Sequence, residues 1–298
     1  MQRRQFLGQS ALALAAGAVA TTTQAAGEAT GATRPHLVFT KGLEKVPFDE
    51  LAEKVAALGA TGLEAPIRKG GHIEPEQAPD KLPEFVAALK KRKLELAILT
   101  SDITKADKGA ETLLRAAVAQ GIRQYRLGPY FYDLKKPIAP QLEEVRAKLK
   151  DLAAMNKEIG IQGQFQNHRG NNRVGSPLWD LISALEGIDP AQLGIAFDFA
   201  HATVEGANAW ELNLRRAAPH VVAVYFKDYK LEGREWMPCP LGEGCVTDKS
   251  AAVVKQVLPA NIPFSLHVEY IEGDEKVPRI FEAMKKDLVT AVKWLGEA

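Results

Sequence analysis

From residue 35 onward, short apolar runs alternate with longer stretches in which apolar residues recur every three or four positions. The short runs read as buried strands and the longer stretches as amphipathic helices. Strands are predicted at 36–41, 61–66, 94–100, 124–128, 162–168, 193–201, 221–229 and 262–270. Helices are predicted between them at 48–58, 82–91, 111–120, 140–159, 177–185 and 249–257, with a last one at 274–295. Eight strands alternating with helices predict an α/β fold, a single closed parallel (β/α)8 barrel. An open doubly wound sheet is the alternative. That fold usually carries a glycine-rich phosphate turn after its first strand, and the sequence has none there.

Alternate side chains of a barrel strand point into the barrel and out to the helices. In the sixth run Ile195, Phe197 and Phe199 take the outward parity, which leaves Gly194, Ala196 and Asp198 inside. In the eighth, Phe264, Leu266 and Val268 face out while Ser265, His267 and Glu269 face in. Gln164, Gln166 and His168 share a parity in the fifth run, as do Ala223, Tyr225 and Lys227 in the seventh. The polar residues crowd the C-terminal ends of these runs, where barrel enzymes keep their active sites. Burying that many ionisable groups costs several kcal/mol unless they are paired, bound to a metal or solvated in a cleft. The pattern therefore predicts a site.

Asp198 and Glu269 are the leading candidates to ligate a divalent cation, with His168, His201, His267 and Gln166 in reserve. A bound ion would polarise a carbonyl while Glu269, His267, Lys227 or Glu64 moves a proton beside it. Glu64 ends the second run on the inward parity, with Arg68 and His72 in the loop beyond it. Gly70 and Gly71 let that loop turn tightly near a ligand. Arg126 lies near the end of the fourth run, and with Arg68, His72, Tyr225 and Asp228 it completes the candidate substrate contacts. Asp228 has the opposite parity to Lys227, so anchoring a loop is an equal reading for it. A plainer reading also exists for the rest. It makes Asp198 and Glu269 ion-pair partners of Lys227 and Arg126, His267 a hydrogen-bonded interior histidine and His201 a helix cap. Trp236 lies in a long loop at the same end and could cover a bound ring.

Composition narrows the class. The chain has 298 residues and a formal charge of +1, so nothing draws it to nucleic acid or an anionic membrane. Cys239 and Cys245 have no partners at zinc-site spacing, and they read as two free thiols or a small-loop disulfide. The first residues differ in kind. Arg3 and Arg4 precede an apolar run at 11–20, followed by small residues with candidate cleavage sites after Ala20 and Ala25. This is the layout of an export signal, and the paired arginines before Phe6 and Leu7 resemble the twin-arginine type. The expected organisation is a signal at 1–25, a linker at 26–34 and a periplasmic mature barrel at 35–298 without a membrane span.

The segments Gly62-Leu63-Glu64-Ala65-Pro66, Gln166-Asn167-His168, Asp198-Phe199-Ala200-His201, Phe226-Lys227-Asp228 and His267-Val268-Glu269-Tyr270 together resemble the xylose isomerase-like TIM-barrel superfamily, in its sugar phosphate isomerase/epimerase branch. In order and spacing they span nearly the whole chain after the linker. The resemblance implies Mn, Mg, Zn or Co held by Glu, Asp, His and Glu from the fifth to eighth strands. Here Asp198 and Glu269 match, while Gln166 stands for the first glutamate and Tyr225 for the histidine. An amide is a weaker ligand than a carboxylate and a neutral phenol a poor one. So either His168, His201 or His267 completes the metal shell, or this divergent subgroup has dropped the metal. The implied activity is isomerisation or epimerisation of a free or oxidised sugar by proton abstraction next to a carbonyl. The alternatives are a lyase or hydratase on keto-sugar glycosides and a non-catalytic sugar-binding barrel. Endonuclease-like cleavage, also found in the superfamily, wants a basic groove that the near-neutral charge does not offer. The expected partner is a small-molecule sugar or keto-sugar, and a homodimer stays open.

Overall fold

The structure, a computed structural model, describes residues 34–296. The predicted signal at 1–25 and all of the linker except Arg34 lie outside them. The barrel strands are β1 (His36–Phe39), β2 (Gly62–Pro66), β3 (Glu95–Thr100), β4 (Gln124–Arg126), β5 (Gln162–Gln166), β6 (Leu193–Asp198), β7 (Val221–Phe226) and β10 (Phe264–Leu266). All their pairings are parallel, and β1 meets β10 to close the ring. Between β7 and β10 an antiparallel hairpin intervenes, β8 (Asp228–Glu232) and β9 (Glu235–Cys239).

Each predicted helix is present: α1 (Phe48–Ala57), α2 (Ala78–Lys91), α3 (Lys108–Ala119), α4 (Ile138–Ile159), α5 (Trp179–Ala184), α8 (Asp248–Val257) and α9 (Lys276–Leu295). Their apolar stripes cause their placement. In α9, Ile280, Met284, Leu288, Ala291 and Leu295 recur at helical spacing and are all buried. Two further helices, α6 (Phe199–Gly206) and α7 (Trp210–Ala217), occupy a stretch with no predicted helix.

The strand parities agree with prediction. Ile195, Phe197, Phe264 and Leu266 pack in the large core under the helices, whereas Leu37, Ile98, Ala196, Ala223 and Tyr225 form a separate cluster inside the barrel. The strands end sooner than the apolar runs suggested. The sixth stops at Asp198 because its carboxylate accepts from the His201 backbone N–H at 3.1 Å and caps α6. A register shift between Leu63 and Glu64, opposite β3, pairs Glu64 with Ile98. Such irregularities re-aim side chains near sites, and here Glu64 comes within reach of Thr100. Cys239 and Cys245 are both free thiols. Among the described residues no helix is long and apolar enough to cross a membrane.

Candidate active site

Every barrel strand sends one or more polar side chains to the C-terminal mouth, and these join in one network. Thr100 donates to Glu64 Oε1 at 2.6 Å, and Arg126 Nε lies 3.3 Å from the same oxygen. His267 Nε2 meets Glu64 Oε2 at 2.9 Å. Arg126 donates from its terminal nitrogen to Gln166 Oε1 at 2.8 Å, and Gln166 Nε2 donates to Asp198 Oδ2 at 2.7 Å. Lys227 Nζ stands 3.2 Å from Asp198 Oδ2 and 3.0 Å from Glu269 Oε2, and Lys41 Nζ holds Glu269 Oε1 at 2.5 Å. Three carboxylates thus meet three fixed cations, the condition under which burial of charge is tolerable.

The network surrounds a cavity of about 260 Å³. Lys41, Arg68, Ser101, Arg126, Gln166, His168, Arg173, Lys227, His267 and Glu269 supply its polar lining, and Phe39, Leu127, Pro129 and Phe165 part of its apolar lining. Arg68 and Arg173 are half-buried, and burial and the charge of Arg126 lower the pKa of both. Among the described residues neither has a carboxylate ion pair, although Arg173 lies over the Phe131 ring.

Protonation follows from this setting. Burial raises the Glu64 pKa, but Arg126, His267 and Thr100 outweigh it and hold the group at about 2. Glu64 is therefore ionised and can only accept, so His267 Nε2 carries the proton between them. Burial, partly opposed by Glu64, lowers the His267 pKa. The imidazole is neutral at pH 7, and its Nδ1 keeps a lone pair. Burial and then Lys227 bring His168 down to about 3. Burial raises the Glu269 pKa, but Lys227 and Lys41 outweigh it and hold the carboxyl well below its usual range. Burial lowers that of Lys227, but Asp198 and Glu269 prevail and the group stays charged.

The structure thus brings together Glu64, Arg126, Gln166, Asp198, Lys227, His267 and Glu269, with Arg68 and His168 at the wall. Four predicted contacts do something else. Tyr225 is fully buried beneath the His267 ring, with centroids 4.4 Å apart, and its hydroxyl donates to Gln164 at 3.2 Å. It forms the barrel floor and does not line the cavity. His72 bonds Thr40 Oγ1 at 2.9 Å and packs on Phe85, outside the cavity wall. The Asp228 carboxylate accepts from the backbone N–H groups of Tyr229, Gly242, Gly244 and Val246, as its outward parity allowed. His201 lies behind His168, ring centroids 3.7 Å apart, and its buried ring nitrogens have no hydrogen-bond partner among the described residues. Trp236, on β9, lines a separate open groove with His168 and Arg169.

Lys41 and Thr100 were missed, although Lys41 continues the inward parity of Leu37 and Phe39, and Thr100 that of Ile98. Arg173 lies in an irregular loop where no periodicity marks it.

The predicted metal ligands do not form a cation cage. Among the described residues no three His, Cys, Asp or Glu side chains gather to hold an ion. Asp198 is 0% exposed, with Oδ2 taken by Gln166 and Lys227 and Oδ1 by the His201 N–H. Gln166 spends its oxygen on Arg126. The donor set is closed by cations and amides, so a metal does not fit the residues as they stand.

Comparison with known proteins agrees with the architecture. The family model for the xylose isomerase-like TIM barrel matches residues 52–295. A 3-keto-D-glucoside 4-epimerase from E. coli superposes with a TM-score of 0.66 at 13% identity, over 89% of this chain and 100% of that one. A D-allulose 3-epimerase from Methylomonas sp. gives 0.66 at 14%, over 89% and 99%. A probable 3-DHS dehydratase from Bacillus anthracis gives 0.63 at 15%, over 85% and 97%. At these identities the likeness is one of fold. A search of curated proteins finds no match.

Proposed function

The chain belongs to the xylose isomerase-like TIM-barrel family, and from that premise we propose that it is a sugar isomerase or epimerase that removes a proton from the carbon beside a carbonyl. The observation that carries the reading is the Glu64–His267 pair, set beside Lys227 and Glu269 at one cavity. Glu64 fixes the imidazole tautomer and steadies the imidazolium as it forms. His267 Nδ1, or Glu269, takes the proton from carbon. The electron pair moves onto the carbonyl oxygen, where Lys227 and Arg126 oppose the growing negative charge. Return of the proton to the opposite face epimerises the centre, and delivery to the neighbouring carbon isomerises the sugar. The relatives named as epimerases and the dehydratase make carbohydrate chemistry the natural class. Arg68 and Arg173, neither of which has a carboxylate ion pair among the described residues, favour an oxidised sugar that bears an acid group or gains charge as an enediolate.

A second reading is elimination from a keto-sugar, as a lyase or hydratase. It begins with the same abstraction but needs only one base. Gln166 favours it, because β5 supplies an amide where a second carboxylate would serve the other face of the carbon. His168, with its pKa near 3, is too weak a base to replace it.

The test is a screen of keto-sugars, uronates and neutral sugars in deuterated water, read by mass spectrometry. Exchange at the carbon next to a carbonyl, lost in both His267→Asn and Glu269→Gln, is the expected result. Elimination would show as loss of water or of an alcohol from the exchanged sugar. Sugar binding with no exchange anywhere in the screen would instead make this a binding barrel and sink the enzymatic reading.

A further inference from the structure

We propose that the site carries its cation in the chain itself: the Lys227 ammonium, wedged between Asp198 and Glu269, fills the place of a divalent ion, and the site works without one. The proposal rests on the reading that this cavity moves a proton beside a carbonyl, but its first test does not.

The geometry is that of an occupied position. Lys227 Nζ sits 3.2 Å from one carboxylate and 3.0 Å from the other, and its side chain is 5% exposed. A metal binding both carboxylates would have to expel that ammonium or share their oxygens with it. Expulsion leaves a buried lysine without its partners, and sharing sets two positive centres side by side in a poorly solvated pocket. The other donors are no freer. Lys41 covers the second oxygen of Glu269, and the Gln166 amide presents its N–H, not its oxygen, to Asp198. The amide at position 166 follows from the lysine. With one carboxylate fewer than a Glu, Asp, Glu set would supply, the charge that remains is balanced by ammonium and guanidinium groups. The wall adds Arg68 and Arg173, so the surplus is positive and a further cation is opposed.

In the reaction, Lys227 then does what an ion would be asked to do. It faces the oxygen that receives the electron pair, as a hydrogen-bond donor of fixed position. Lys227 keeps its proton, and the proton from carbon travels on His267 or Glu269.

The protein as expressed is dialysed in metal-free buffer without chelator and analysed for Mn, Co, Zn and Mg. Mn²⁺ is then titrated in, with free ion followed by electron paramagnetic resonance and melting temperature recorded. Far less than one ion per chain, no saturable Mn²⁺ uptake and an unmoved melting temperature are expected. The double substitution Gln166→Glu with Lys227→Met, which removes the ammonium and restores a carboxylate, is expected to gain saturable Mn²⁺ uptake. Wild-type protein that keeps about one ion per chain, or takes up Mn²⁺ saturably, overturns the proposal whether or not a substrate has been found. Where exchange is seen, chelator is expected to leave its rate unchanged and Lys227→Met to lower it about a hundredfold or more, with circular dichroism intact. Exchange abolished by chelator and restored by Mn²⁺ also overturns the proposal. Failure of every sugar to exchange tells against the proton-transfer reading and leaves the metal result standing.

Discussion

Glu64 concentrates the site's chemistry and its stability in one side chain. It touches Thr100, Arg126 and His267 at once. Its pKa is depressed in the fold, from the ordinary 4.5 to about 2. A depressed carboxylate contributes stability that is present above its unfolded value and disappears as pH falls through the folded one. The barrel should therefore lose on the order of 3 kcal/mol between about pH 5 and pH 2 on account of this group. Melting curves across that range should show Glu64→Gln less stable than wild type at neutral pH, with Arg126 left unpaired, but with a flatter acid limb. Parallel limbs would mean the group is not ionised in the fold. His267 carries a kinetic counterpart. Its pKa is lowered by burial, and the neutral ring is the base. The acid limb of kcat/KM should then lie below pH 6.5, with a flat profile above it until another group titrates. These residues were legible in the sequence because inward parity and a place at the end of a run suffice to mark them. Which of them face the cavity was not legible. Tyr225 and Lys227 share a parity, yet two residues of height separate a floor from a wall.

The largest departure from the predicted elements lies just after β7. The apolar run at 221–229 read as one strand, but Lys227 breaks it and Asp228 begins the β8–β9 hairpin. The reason is the Asp228 carboxylate, which gathers four backbone N–H groups from Tyr229 to Val246 and folds the loop back on itself. No periodicity encodes such a turn; it needs one acceptor and a close backbone approach. Gly244 supplies the approach, since a Cβ there would collide with the Tyr229 carbonyl. Asp228→Ala leaves several buried N–H groups without an acceptor, at about 1–3 kcal/mol for each that water does not reach. Hydrogen exchange should rise across 240–246 in that variant while the barrel strands stay protected. Because Lys227 directly precedes Asp228, loosening the loop should slow the chemical step that Lys227 assists more than it weakens substrate binding. Protection unchanged in 240–246 would assign the loop's order to other contacts. The helices α6 and α7 were missed for a related reason. Asp198 was read as a strand residue with chemistry, and it is also the cap that starts α6.

At the scale of the molecule, the barrel was readable because each α/β unit repeats the same two periods, 2 in the strand and 3.6 in the helix. Closure followed from the count of eight such units, but the side-chain pairs that cross the ring were not readable, since they join residues far apart in the chain. β1 pairs with β10, Lys41 reaches Glu269 across 228 positions, and Glu64 reaches His267 across 203. The active site therefore does not exist until the last strand has been made and docked. That requirement bears on export, for which the expectation rests on Arg3, Arg4 and the apolar run at 11–20. A general secretory route would thread the chain before β10 could join β1, and the ring would have to close afterwards. A twin-arginine route carries cargo already folded, so ring closure would come first and quality control could act on it. Arg3→Lys with Arg4→Lys should then strand a folded, protease-resistant precursor in the cytoplasm, with the ring intact and the leader uncleaved. Glu64→Ala, which leaves Arg126 and His267 without their shared buried carboxylate, should cut export of the otherwise unaltered precursor as well, because the folded state that route accepts is less populated. Fractionation with N-terminal sequencing reads both results. Normal periplasmic appearance of the double-lysine variant, processed after residue 20 or 25, would assign the protein to the threading route and separate its export from its folding.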